Sequence, residues 1–255
     1  MAEEKQAGTS SSSANADKTF ILPGLGQSSM RSFRLRRAID LIMPPLETES
    51  LVTYKMSEHD LEWLVTDLEG GMRTGCMKAN CESQLSRSAV LLHKGKAVGC
   101  IYGSKTTPEA RPTEESLSHM LKDLQEKDTV ISIYDLPEDI TVALSALFLG
   151  VPVEIDAHMS AREQFDYTMN WFTRNELSAC VVLLMPRSKS TCLVFVHKGI
   201  FGGAFFVEEQ VGTLDPGTIY QIFADEPNCQ VEASMLPLEV LAGDAKYGYS
   251  LAMTK

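Results

Sequence analysis

Two tripeptides hold the side chains with the most scope for chemistry. His93-Lys94-Gly95 stands inside the apolar run 89–102, and His197-Lys198-Gly199 stands inside the matching run 192–206; from 93 to 197 the spacing is 104 residues. A histidine pair brought together by symmetry would serve as metal ligands or as acid and base. Two histidines fall short of the three protein ligands that catalytic zinc usually takes. Each also precedes Lys-Gly, a dipeptide suited to a tight hairpin because glycine supplies positive φ at little cost. His93, His197, Lys94 and Lys198 are therefore expected as hairpin-corner residues.

The six cysteines are Cys76, Cys81, Cys100, Cys180, Cys192 and Cys229, with no Cys-x-x-Cys pair among them. A chain this long needs no covalent staples, so reduced thiols in a cytoplasm are expected. Cys76 and Cys180 share one position of the 104-residue spacing. Their neighbours Gly75, Met77, Ala179 and Val181 describe an apolar strand, where cysteine acts as a small core residue. A reactive thiol needs an electropositive, partly exposed setting instead. Gly24-x-Gly26 lacks the lysine of a phosphate loop and the third glycine of a dinucleotide fingerprint. Asp135, Glu138 and Asp139 read as an acidic helix start and Glu208-Glu209 as a solvated edge, not as the opposed carboxylates of a hydrolase. No catalytic, cofactor-binding or metal-ligating residue is assigned, and the chain is expected not to be an enzyme.

The elements that carry these residues repeat. The spacing holds without a gap over 64–102, and a period that long implies two copies of a domain rather than a solenoid, whose repeats run roughly 20–50 residues. Ser57 with Asp60 predicts a helix start in the first copy, followed by the stripe Leu61, Leu64, Val65, Leu68 and ended by Gly70-Gly71. Ser160 with Glu163 predicts a capping box in the second, followed by Phe165, Met169 and Phe172. Three strands follow in each copy: 74–80, 88–92 and 96–102, then 178–184, 192–196 and 200–206. Both hairpins are apolar on successive residues, which predicts a sheet covered on both faces. A second helix starts at Thr113 in one copy and at Asp215-Pro216 in the other. A fourth strand, 129–134 or 229–235, leads into Leu136-Pro137 or Leu236-Pro237. Pro137 opens a third helix closed by Gly150, and this helix has no convincing counterpart after Pro237. The fold class expected is α+β: two pseudo-repeated domains, each a mainly antiparallel sheet with helices packed on one face. The expected boundaries are a disordered tail at 1–18, a basic amphipathic segment at 19–50, and repeats at 51–155 and 156–255.

Composition narrows the partners. The 255 residues carry 34 acidic and 23 basic side chains, a net charge of −11. That balance argues against a nucleic-acid binder, which needs clustered cations. No run reaches the ~18 apolar residues of a membrane span, and the acidic, Ser-rich start is not a secretory signal. The segment 30–43 contradicts the rest: Arg31, Arg34, Arg36 and Arg37 lie among Met30, Phe33, Leu35, Ile39 and Ile42, and Pro44-Pro45 stops the run. It reads as a basic helix that docks on the acidic body, with weak membrane-surface contact as the other use.

The order of helix, Thr-Gly-x-apolar strand, turn, and apolar strand ending in Gly resembles the PatA-type N-terminal domain, a bacterial domain often attached to response regulators. The matching residues are Thr74-Gly75-Cys76 with Leu91 through Gly99, and Ser178-Ala179-Cys180 with Phe195 through Gly203. The likeness spans roughly 57–103 and 162–207, and the second copy departs from it at Ala179. It implies a signalling or scaffold module with no catalytic residues to carry over. The function expected is an intracellular, cytoplasmic module that binds another protein through a sheet face, a hairpin edge or the basic helix. One alternative is a small-molecule or nucleotide sensor with its ligand between the copies; another is a thiol or histidine enzyme.

Overall fold

A computed structural model describes residues 42–46, 48–105, 113–156, 158–241 and 247–252. The Ser-rich start, the Gly24/Gly26 turn and the four arginines of the basic segment lie outside them. Two antiparallel sheets organise the chain. The first holds β1 (Val52–Lys55), β2 (Gly75–Cys81), β3 (Ser86–His93), β4 (Lys96–Ser104) and β5 (Thr129–Asp135), in the order β1-β5-β2-β3-β4. The second holds β6 (Val151–Pro152), β7 (Ala179–Met185), β8 (Ser190–His197), β9 (Ile200–Phe206), β10 (Val211–Thr213) and β11 (Gln230–Met235). Its order, β6-β11-β7-β8-β9-β10, matches the first sheet with one strand added at the end.

Each sheet carries its own helices on the outer face. For the first these are α1 (Leu61–Val65), which runs on as a π-helical turn over Thr66–Gly70, and α2 (Thr113–Asp123). Leu64, Leu68, Leu117 and Met120 pack there against Met77, Val90 and Leu92. For the second they are α4 (Ala161–Arg174) and α5 (Pro216–Asp225), whose Phe165, Phe172, Ile219 and Ile222 meet Val181, Leu183 and Val194. α4 starts on the capping box of Ser160 and Glu163, and α5 starts on Asp215 with Pro216 in its first turn. In α1 the expected cap at Ser57 is displaced to Asp60, whose carboxylate accepts the Trp63 N–H at 2.7 Å. A carboxylate at that position satisfies an orphan N–H and also meets the positive end of the helix.

The inner faces of both sheets meet one helix, α3 (Glu138–Leu149). Every residue from Ile140 to Leu149 is buried, as a helix apolar all round its circumference requires. One inner cluster joins Cys76, Leu91, Val98 and Tyr134 of the first sheet to Cys180, Val182, Leu193 and Phe195 of the second, with Ala143, Leu144 and Phe148 of α3 between them. Strand alternation feeds both cores: along β7, Ala179, Val181 and Leu183 turn outward while Cys180 and Val182 turn inward. The successive apolar residues of the hairpins follow from this, because neither sheet has a face in water. The sheets thus stack across α3, and the helices on one face of each sheet are joined by a shared layer on the other. Ile42 and Met43, the only described residues of the segment 30–43, are buried in the inner cluster without helical structure, and the Tyr134 hydroxyl donates to the Met43 carbonyl at 2.5 Å. α6 (Leu238–Leu241) is a short helix after β11, where the sequence shows no counterpart to α3. Three strands escaped the sequence reading, β1, β6 and β10, all of four residues or fewer.

Candidate functional site

The two His-Lys-Gly corners have one backbone geometry. Lys94 and Gly95 take φ of 48° and 78°, and Lys198 and Gly199 take 50° and 75°. Both residues of each turn are left-handed, the requirement of a two-residue hairpin that follows strand twist. Each corner is fastened to the link that joins the preceding helix to its strand. The Lys94 N–H donates to the Thr74 hydroxyl at 3.0 Å and the Lys198 N–H to the Ser178 hydroxyl at 3.2 Å. The Gly95 and Gly199 N–H groups donate to the carbonyls of Arg73 and Leu177, both at 2.8 Å. A Cβ at Gly95 would stand 2.7 Å from Glu69 Cα, and one at Gly199 would stand 2.8 Å from Thr173 Cα. Glycine is required at both corners by close approach as well as by φ.

Stacking the sheets across α3 brings the corners to the start of that helix. His93 Nε2 lies 3.0 Å from Glu138 Oε1, and the Lys94 ammonium lies 2.8 Å from the same oxygen. These two partners hold the Glu138 carboxyl at about 2, against an ordinary 4.5. The His93 ring stands edge-on to Tyr247, with centroids 5.2 Å apart, and the Tyr247 hydroxyl lies 2.7 Å from the Ser145 hydroxyl of α3. His197 Nδ1 lies 3.1 Å from the Ser178 hydroxyl. Burial, aided by the Lys198 ammonium, holds His197 below its ordinary pKa; Asp139 and Glu138 oppose the shift, and His93 adds to it. The two histidines therefore share one electrostatic neighbourhood, which the sequence could not place because each is tied to a different sheet.

That neighbourhood is a junction of both hairpin corners with the start of α3. Glu138 is engaged by one imidazole and one ammonium, and among the described residues no three His, Cys, Asp or Glu side chains gather to hold a metal ion. The six cysteines are all buried and free. Burial pushes the thiols of Cys76 and Cys192 up to about 12 and that of Cys229 to about 11, and it raises Cys100 and Cys180 as well. Thiols so protonated are poor nucleophiles.

Two further features complete the surface. A polar hollow of about 290 Å³ opens beside the end of α2, lined in part by Tyr102, His119, Lys122 and Asp123. Asp123 is buried there, accepting from the Ser86 hydroxyl, while its carbonyl accepts from Thr129 at 2.5 Å. No sequence signal marked this site, because its residues come from β4, α2 and the turn after β2. The second feature is a set of exposed apolar side chains at an edge of the second sheet that no further strand covers among the described residues. Ile200 is 71% exposed, Leu214 79% and Val211 56%, along β9, β10 and the residue after it. Among the described residues no helix is long and apolar enough to cross a membrane. No family model, curated protein or solved structure matches the chain.

Proposed function

We propose that the chain is a non-catalytic signalling or scaffold module, intracellular, that works by binding another protein. The observation that supports this reading best is the exposure of Ile200, Val211 and Leu214 at a sheet edge that no further strand covers among the described residues, since such edges and exposed apolar side chains are docking devices. The likeness of Thr74–Gly99 and Ser178–Gly203 to the PatA-type domain points the same way. α3 fills the space between the sheets, so the sensor reading, which needs a cleft there, is not carried further. Affinity capture from cell lysate with the intact chain, set beside an Ile200→Asp, Leu214→Asp double variant, tests the proposal. A protein retained by the first and lost with the second is expected. Capture of no specific protein by the intact chain overturns it.

A further inference from the structure

The outer edge of the first sheet is already occupied. Residue 249, in the segment 247–252, bridges β4: Ala97 N–H donates to the Tyr249 carbonyl at 2.9 Å, and Tyr249 N–H donates to the Ala97 carbonyl at 2.9 Å. Glu69 anchors the segment, accepting from the Leu251 N–H at 2.8 Å and the Ser250 hydroxyl at 3.1 Å, and Leu251 is buried. Ala97 is available for this by register. The two-residue turn closes on the pair His93–Lys96, so the next pair, Leu92–Ala97, is a non-hydrogen-bonded one whose Ala97 N–H and C=O point away from β3.

The same register recurs on β9. The turn closes on His197–Ile200, the next pair is Val196–Phe201, and a bulge follows at the same place in both hairpins. The Phe201 N–H and C=O therefore point to the open side. β10 pairs β9 only from Phe206 to Ala204, and among the described residues no strand or bridge reaches Phe201 on that side. What lines this edge differs from the first sheet. Buried Val98 is replaced by Gly202, where a Cβ would lie 3.7 Å from Asp139 Oδ2. Exposed Ile200 lies two residues before the position and exposed Leu214 lies beside Gly203, and exposed Lys198 at the corner adds an opposing charge.

From this geometry we infer that the β9 edge at Phe201 receives an extended segment of a partner protein in antiparallel main-chain pairing. The segment it takes alternates apolar with basic side chains: the apolar ones lie on the face of Phe201, which packs on the outer core, and the basic ones lie on the opposite face, where one lays its stem along Ile200 and meets Asp139 above Gly202. The inference rests on the protein-binding reading and names its mode: the first sheet holds such a segment on the equivalent edge, and main-chain pairing gives affinity while alternate side chains give specificity.

The test uses the full chain and two short blocked peptides, one alternating valine with arginine and one alternating valine with glutamate. The arginine peptide is expected to bind and to slow hydrogen exchange at the Phe201 amide. Phe201→Pro, which removes the donor at an edge position that tolerates proline, is expected to cut its affinity about tenfold or more. Asp139→Asn is expected to bring the arginine peptide to the level of the glutamate one. If Phe201→Pro fails to fold by circular dichroism, Ile200→Lys, which sets a like charge at an exposed position beside the basic side chains, decides by the same loss. Equal affinity for the two peptides, or no slowed exchange at Phe201, overturns the inference. A dimer that forms with concentration and vanishes in Ile200→Asp also overturns it, by giving the edge to a second copy. The protein-binding reading is judged separately, because lysate capture lost in the Ile200→Asp, Leu214→Asp variant stands even where both peptides fail.

Discussion

Glu138 places one carboxylate oxygen against both an imidazole and an ammonium, 3.0 Å from His93 and 2.8 Å from Lys94. Its folded-state pKa of about 2 lies below the ordinary 4.5, so its contribution to stability is present in full above pH 4.5. It is lost as the pH falls from there toward 2. With the Glu138 side chain 56% exposed, solvent screening keeps this contribution on the order of 0.5–1 kcal/mol. Glu138→Gln is therefore expected to lower stability by that much at neutral pH and by nothing near pH 2, read as two urea-unfolding curves that converge on acidification. A gap of constant size across the range would show that the ion pairs carry no weight. At this scale the cysteines were legible in the sequence, because the residues beside Cys76 and Cys180 are apolar and a strand alternates them into a core. The junction was not legible. His93 and His197 were assigned to hairpin corners, where they do sit, but the acidic helix start that His93 bonds and that reaches His197 through its charge belongs to the first half and meets the second only after the sheets stack.

Gly99 meets α3 at the tightest point of the helix–sheet layer: a Cβ there would lie 2.4 Å from Phe148 Cδ2. Gly99→Ala must push the ring aside in a packed interior, at a cost of about 1–3 kcal/mol. Phe148→Leu alone leaves a smaller side chain in the inner cluster and also destabilises. Together the two changes are expected to cost less than their sum, because the added methyl enters space the ring gave up. Chemical denaturation of the four proteins of that double-mutant cycle measures the coupling, and strict additivity would mean that strand and helix do not touch there. The helices themselves were mostly readable, through the Ser160–Glu163 capping box, Asp215-Pro216 and the apolar stripes. The start of α1 was misread because Ser57 and Asp60 are both capping types, and only the Asp60 carboxylate reaches the Trp63 N–H. The short strands β1, β6 and β10 gave too few residues for a period of two to register, and neighbouring strands, not their own sequence, hold them.

On the scale of the whole molecule, sharing α3 couples the two sheets. Opening the second sheet alone would expose Leu91, Val98, Ile101 and Tyr134 of the first together with one side of α3. At about 1.5–3 kcal/mol for each large apolar side chain brought into water, that cost rivals the ~5–15 kcal/mol that stabilise a domain as a whole. Neither half is therefore expected to stand alone as a stable intermediate, and calorimetry is expected to give one transition. Leu144, fully buried between the sheets, supplies the sharper test. Leu144→Ala should cost about 2–5 kcal/mol and lower the melting temperature by roughly 2–4 °C for each of them. Because the loss falls on a layer that both sheets use, hydrogen exchange of the slowest amides in β3 and in β8 should accelerate by the same factor. Val90→Ala in the first outer core, although it touches only one sheet, should raise exchange in both for the same reason. Two calorimetric peaks, or faster exchange confined to β3, would show that the halves unfold independently and that α3 belongs to the first of them alone.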